Sequence, residues 1–356
     1  MTLPKIDTDY LTKFLVTVLN IPSPTGFTED AIAFVEKELS AYSQLKLSRT
    51  RKGALVATWE GKSNDSPRAL TAHVDTLGAM VKEIKSKGRK DTSNGRLSIT
   101  RIGGLLLPAV ETEGCWVHTA SGEKIRGSLM VNTASAHVHG VKAMETKRDE
   151  DGMEIRLDAK VSNADDVKDL GIQVGDFVSF DPRVELTNGF IRSRFLDDKA
   201  GVAAIVAAIK SLADSGKIPA QTIHILISNY EEVGHGAAAG IHPDVTELIA
   251  VDMAAVGSGQ ESDEFHATIC VKDSGGPYHH GLSNKLRELA DQHEIPYKVD
   301  IYPYYGSDGE AFWRAGGDVA VALIGPGVDA SHNYERTHTE ALVATTNWIL
   351  AYLLSD

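Results

Sequence analysis

At 356 residues, with 42% hydrophobic and 24% charged content, the chain is globular in composition and long enough for more than one structural unit. Its net charge of −13 speaks against nucleic acid or an anionic membrane as a partner. The two cysteines, Cys115 and Cys270, exclude a disulfide framework and fit a reducing, cytoplasmic setting.

The first twenty residues lack a basic region followed by a long apolar core, so they read as an amphipathic helix and not a signal peptide. No apolar run approaches membrane-spanning length. Helical spacing covers 7–19, with Leu11, Phe14, Leu15 and Leu19, and 27–43, with Ile32, Phe34 and Val35. Thr28 before Glu29 and Asp30 marks a helix start. Strand-like runs follow: LKLSRT, ALVATWE and RALTAHV. Residues 83–189 differ, with short alternating runs such as GCWVHTASGEKIRGSLMV between Gly- and Asn-bounded turns. They predict a small inserted β-barrel. From 190 the pattern alternates between helices (GVAAIVAAIKSLADSG, SNKLRELADQHE, GEAFWRAG, EALVATTNWILAYLLS) and strands (TIHILISN, ELIAVDM, YKVDIY, VAVALIG). The expected fold class is α/β, a mixed and largely parallel sheet flanked by helices. Residues 1–82 with 190–356 form the main domain, interrupted by the insert.

The chemistry gathers at the ends of these runs. RALTAHVDT ends in His73 and Asp75, which share a facing on a regular strand. There the Asp75 carboxylate could fix the second nitrogen of His73. Alone, this pair reads more readily as a solvated strand end. Asp197-Asp198 precedes a helix, where one aspartate could simply cap it and the other could bridge two cations. Glu231-Glu232 closes the apolar run ILISNY and is followed by Gly234, which permits a turn; one glutamate could bind metal and the other act as general base. Asp252 ends LIAVD, where a buried carboxylate needs a partner. The last ligand is either His332 or His338; His332 suits a strand edge better, and His338 a helix start. Each cluster alone is a weak signal. Together they sit where ligands gather in α/β sheets, at the carboxyl ends of strands. Imidazole and carboxylate groups in this number suit a hydrolase with two metals. His118 reads as structural, and His137 and His139 as solvated loop residues. No glycine-rich segment has the strand–turn–helix context of a phosphate site.

The order HVD, DDKAG, EEVG, VDM and a late histidine resembles the dinuclear aminopeptidases of metallopeptidase family forty-two, the glutamyl and tetrahedral aminopeptidases. IPSPTGFTE, GIQVGDFVSFDP and YGSDGEAFWRAG extend the likeness over nearly the whole chain. The resemblance implies Asp197 as the bridging ligand, His73 and Asp252 completing one metal site, and Glu232 and His332 the other. It further implies Glu231 as general base toward a metal-bridging water, Asp75 behind His73, a cis bond between Asp197 and Asp198, and Asp308 at the site's edge. Two divalent cations, zinc or cobalt with manganese as a further option, would be the cofactors, and small peptides the substrates. The insert would build a dimer-based homo-oligomer, up to a dodecamer. Where many members carry Arg-x-x-His-Ser/Thr, this chain has ASHNYERTH, a form that also resembles a branch linked to a dipeptide osmoprotectant. The competing readings are a related deacylase or carboxypeptidase acting on N-acyl amino acids or dipeptides, and a catalytically dead assembly protein.

Overall fold

The computed structural model describes residues 2–85 and 95–356; positions 86–94 of the expected insert lie outside the described residues. The chain divides into two compact units, Met1–Thr76 with Arg183–Asp356, and Leu77–Pro182.

The first unit is built on a mixed sheet. Its centre is four adjacent parallel strands, Gln221–Ser228, Ser63–His73, Glu247–Val251 and Ala320–Asp329. Leu55–Trp59 and Leu45–Arg49 extend one side in antiparallel fashion. Ala267–Asp273 runs antiparallel to Ala320–Asp329 and carries Tyr297–Ile301. The central strands are apolar where they are buried, as in Ile225–Ile227 and Leu248–Val251, because both faces are covered there. The helix Leu196–Ser215 packs against Thr8–Leu19, against Thr339–Leu354 and on the sheet. It is buried without a break from Leu196 to Ile209, which accounts for its lack of a polar face. The first helix starts where expected, and Asp7 caps it by accepting from Tyr10 N at 3.0 Å. Thr28 stands at the start of Glu29–Leu39 without making a side-chain cap; its hydroxyl accepts from Asn229 Nδ2 at 3.3 Å instead.

Register decides where the chemistry lands. Ser228 pairs with His73, and Ala250 with Thr71, so three neighbouring parallel strands end at one level. The chain leaving those ends carries His73, Glu231 and Glu232, and Asp252. Gly325 lets the next strand come in close, since a β-carbon there would lie 1.7 Å from the Asp252 carbonyl oxygen.

The second unit is a closed six-stranded antiparallel barrel. In order around it run Gly78–Ile84, Arg96–Ile102, Met153–Leu157, Lys124–Val131, Gly114–His118 and Phe177–Phe180. Alternate residues fill its interior, among them Val81, Ile99, Val117, Leu129 and Ile155. Among the described residues no helix is long and apolar enough to cross a membrane.

Candidate metal centre

The strand Ser63–His73 delivers a fully buried imidazole at its last residue. Its Nδ1 lies 2.9 Å from the Asp75 backbone carbonyl, which fixes the ring and leaves Nε2 pointing away. The Asp75 carboxylate stands at 3.6 Å, so it is not the group that orients the ring. The strand ends at His73, and the shared facing of residues two apart ends with it. Asp75 works elsewhere. Its carboxylate accepts from Thr25 Oγ1 at 2.7 Å and from the backbone N–H groups of Glu231 and Glu232 at 3.2 and 3.3 Å. It therefore pins the 3₁₀ turn Glu231–Val233, which Gly234 closes with a φ of 84°.

Asp197 and Asp198 open the helix Leu196–Ser215 in non-helical conformations, and the peptide between them is cis. Asp198 takes the capping role: its carboxylate accepts from Gly201 N at 3.1 Å and from His73 N at 3.2 Å. Asp197 is left to face the centre. Its Oδ1 lies 3.2 Å from His73 Nε2, and its Oδ2 lies 3.5 Å from His332 Nε2. Each oxygen thus addresses a different histidine.

Two groups of possible ligands result. His73, Asp197 and Asp252 form one; Asp197, Glu232 and His332 form the other. The five residues singled out as ligands thus converge in two triads that share Asp197. Glu231 belongs to neither triad, although its Oε2 is 3.6 Å from His73 Nε2. His338 lies elsewhere, capping the terminal helix by accepting from Glu340 N and meeting the rings of Phe190 and Phe265. Asp308 is buried at the start of the helix Asp308–Arg314. It accepts from Ala237 N at 2.7 Å and from Thr71 Oγ1 at 3.3 Å, and it also bonds Ser228. His279 caps the helix His280–Gln292, while His137 and His139 are exposed.

The electrostatics match a centre short of positive charge. Burial raises the carboxyls of Glu231, Glu232 and Asp198 well above the usual carboxylate range, with negative neighbours adding to it. Burial, then the Asp197 charge, pushes Asp252 up to about 7 and Glu335 to about 8. Burial works to raise Asp197 as well, but hydrogen bonding to His332 and His73 outweighs it and holds this carboxyl well below its ordinary range. Hydrogen bonding to Asp197 raises His332 to about 10 against the effect of burial. A divalent cation bound among these carboxyls would favour their charged forms.

The residues also fit a metal on their own geometry. His73 Nε2 is buried and faces carboxylates, Asp197 Oδ1 at 3.2 Å and Glu231 Oε2 at 3.6 Å, the surroundings a ligand nitrogen needs. The mixed nitrogen and oxygen set is that of borderline divalent ions.

Three contributors escaped the sequence reading. Glu335, 2% exposed, accepts from Asp197 N and His332 N, each at 3.1 Å, and so locks the two segments together. The inward alternation of Glu335 and Thr337 in the strand Glu335–His338 was the signal that could have found it. Tyr305 donates to the carbonyl of Met253 at 2.7 Å, beside Asp252. Lys199, fully buried, bonds Ile21 O at 2.8 Å, and burial lowers its pKa to about 7.

The chain and its fold have relatives. YhfE, a candidate aminopeptidase of Bacillus subtilis (strain 168), is 47% identical over 339 residues, covering 95% of each chain. An aminopeptidase from the archaeon Desulfurococcus kamchatkensis superposes with a TM-score of 0.85 at 20% identity, over 98% of this chain and 95% of its own. Pyrococcus horikoshii TET1 peptidase gives 0.83 at 20% identity, over 97% and 100%. At that identity the solved structures speak for the fold, a mixed α/β sheet with an inserted β-barrel. A family model for M42 glutamyl aminopeptidase matches residues 53–347. With most of its length inside that match and a near-full-length relative at 47% identity, the chain belongs to the M42 glutamyl aminopeptidase family of peptide hydrolases.

Proposed function

We propose that this chain is a metal-dependent aminopeptidase that removes N-terminal residues from small peptides. The observation that carries the reading is the pair of ligand triads sharing Asp197. His73, Asp197 and Asp252 would hold one divalent cation, and Asp197, Glu232 and His332 a second. Zinc or cobalt suits the set, and manganese is compatible. Bound there, such ions would polarise the scissile carbonyl and acidify water.

The chain's own residues supply the rest. Glu231 lies beside the first triad, its Oε2 3.6 Å from His73 Nε2 and its backbone N–H bonded to Asp75, and burial raises its affinity for a proton. It is the residue placed to take a proton from attacking water and pass it to the leaving amine. Asp75 positions both glutamates, Glu335 positions Asp197 and His332, and Asp198 anchors the helix start. The test is a panel of aminoacyl-nitroanilides and dipeptides set against N-acetyl amino acids. Cleavage of the N-acyl compounds alone would favour a deacylase.

The two late histidines separate on this reading. His332→Ala should lose bound metal and lower kcat/KM on the order of a hundred-fold or more, since even partners behind a ligand are worth 10- to 100-fold. His338→Ala should keep its metal and lose the helix cap, about 1 kcal/mol of stability, together with its ring contacts to Phe190 and Phe265. Metal analysis and denaturant unfolding of the two variants check this, and the reverse pattern would reassign the ligand.

We further propose that the chain assembles with copies of itself through the unit 77–182. The Pyrococcus horikoshii TET1 peptidase can assemble into a tetrahedron or a large octahedral shell. Here Val138, Val141 and Met144 stand exposed on the short helical turns of that unit, an apolar group suited to burial against another surface. A cytoplasmic location is supported by Cys115 and Cys270, both free thiols pushed up to about 12 by burial.

A further inference from the structure

Four of the five proposed ligands are steadied by contacts described above. The Asp75 carbonyl holds the His73 ring, and the Asp75 carboxylate holds the Glu232 backbone. Glu335 holds the backbones of Asp197 and His332. Asp252 is the fifth. It follows the strand Glu247–Val251, its N–H donates to Ile324 O at 3.0 Å, and its Oδ1 accepts from Met253 N at 2.7 Å. A bond to the next peptide N–H holds this carboxylate against its own chain only.

The group that reaches it from elsewhere is Tyr305, fifty-two residues beyond Met253. Tyr305 is half-buried in the loop between the strand Tyr297–Ile301 and the helix Asp308–Arg314. Its hydroxyl donates to Met253 O at 2.7 Å and is hydrogen-bonded to the Asp252 carboxyl. The loop is fixed at this point, because Ser274 donates to Tyr305 O through its N–H at 3.1 Å and its hydroxyl at 2.5 Å. The ring packs on that of Tyr302, with 5.3 Å between centres. Tyr302 is itself buried, its hydroxyl 2.7 Å from Ser262 Oγ. The phenol thus arrives at Asp252 on a braced support.

A phenol has one proton to donate, and here it has two acceptors, the Met253 carbonyl and the Asp252 carboxylate. The bond to an ionised carboxylate is the stronger of the two. Burial, then the Asp197 charge, favour the neutral form of Asp252, while His73 and then the phenol work against them. A metal ligand must be ionised, and the ionised carboxylate is the form the phenol grips. A ligand oriented in advance loses less freedom when it coordinates.

We infer that Tyr305 is a positioning residue for Asp252: its phenol holds that carboxylate in the orientation of a ligand and so sets the affinity of the triad His73, Asp197 and Asp252 for its cation. The affinity of the triad Asp197, Glu232 and His332 is left to its own residues. The inference rests on the metal-dependent reading and deepens it, giving the two sites separately tuned affinities.

The experiment titrates metal-free protein with cobalt(II), read by calorimetry and by the visible absorption of the bound ion. It compares wild type, Tyr305→Phe, Asp252→Ala and the double variant, with circular dichroism to check the fold. Wild type should take up two ions. Tyr305→Phe, which keeps the ring and loses the hydroxyl, should weaken one binding step by about 10- to 100-fold, the worth of a partner behind a metal ligand. The visible bands of that ion should shift, and the other step should stay where it was. In Asp252→Ala the same step is already lost, so adding Tyr305→Phe should change nothing further, as for two residues acting through one contact. Ser274→Ala, which loosens the tyrosine and keeps its hydroxyl, should weaken that step by a smaller factor, and it decides the matter if Tyr305→Phe does not fold. A merely structural tyrosine would lower the Tm and leave both steps unchanged or weaken both alike. Either result, or an effect of Tyr305→Phe that persists in the Asp252→Ala background, overturns the assignment while the two cations of the wild type stand. Wild-type protein that takes up no cobalt removes the metal-dependent reading, and the assignment with it.

Discussion

Glu231→Gln should lower kcat/KM by about 10²- to 10⁴-fold, the usual contribution of a positioned general base, while both cations stay bound. Glu231 lies outside both ligand triads, so its charge is not needed to hold metal. Its backbone N–H is held by Asp75 and does not depend on its side chain. The amide keeps the shape and loses the ability to accept and return a proton. Activity assays read alongside metal content separate the outcomes. Loss of metal together with activity would make Glu231 a ligand. Full activity would remove it from the chemistry and leave the base to Glu232 or another group.

Asp197→Ala should have the larger effect on the centre itself. The two oxygens of this one carboxylate face His73 and His332, so truncation opens both triads at once. Asp252→Ala, by contrast, opens only the first. Asp197→Ala should therefore bind neither cation tightly, and Asp252→Ala should retain one. Activity of Asp197→Ala should fall to the assay background, below that of Glu231→Gln, because base and metal functions both depend on the bridge. The fold should survive, since the bond from Asp197 N to Glu335 does not involve the lost carboxylate. Metal analysis after gel filtration and circular dichroism make the comparison. An Asp197→Ala protein that keeps both cations would show that they are held by other residues.

Much of this centre could be read from strand ends. RALTAHV, TIHILISN and ELIAVD are apolar runs buried on both faces, and each stops at a chemically active residue. What one dimension could not show was that the pairing of Ser228 with His73 and of Ala250 with Thr71 brings the three stops level. Sequence leaves His332 and His338 as alternatives for a similar reason: His332 lies three residues before the strand Glu335–His338 and His338 is its last residue, and only the pairing of that strand shows which end meets the helix. His332 reaches the centre from a loop with a φ of 63°, a conformation that periodicity does not report. Glu335 was passed over because a glutamate in a polar stretch reads as solvated, whereas here it faces inward to bond two backbone groups. Asp75 does meet the second nitrogen of His73, but through its backbone carbonyl at 2.9 Å with the carboxylate at 3.6 Å, because the strand ends at His73 and the carboxylate turns toward Glu231 and Glu232. Its actual work, holding the Glu231–Glu232 turn, links segments more than 150 residues apart and leaves no local pattern.

The proposed centre requires Asp197 to serve two cations. The direct measurement is the metal content of purified wild-type protein after saturation with zinc or cobalt, coupled to anomalous diffraction at the metal edge. Two ions per chain are expected, one beside His73 and Asp252, the other beside Glu232 and His332, with an Asp197 oxygen on each. A single ion at saturation, or two ions neither of which touches Asp197, would contradict it.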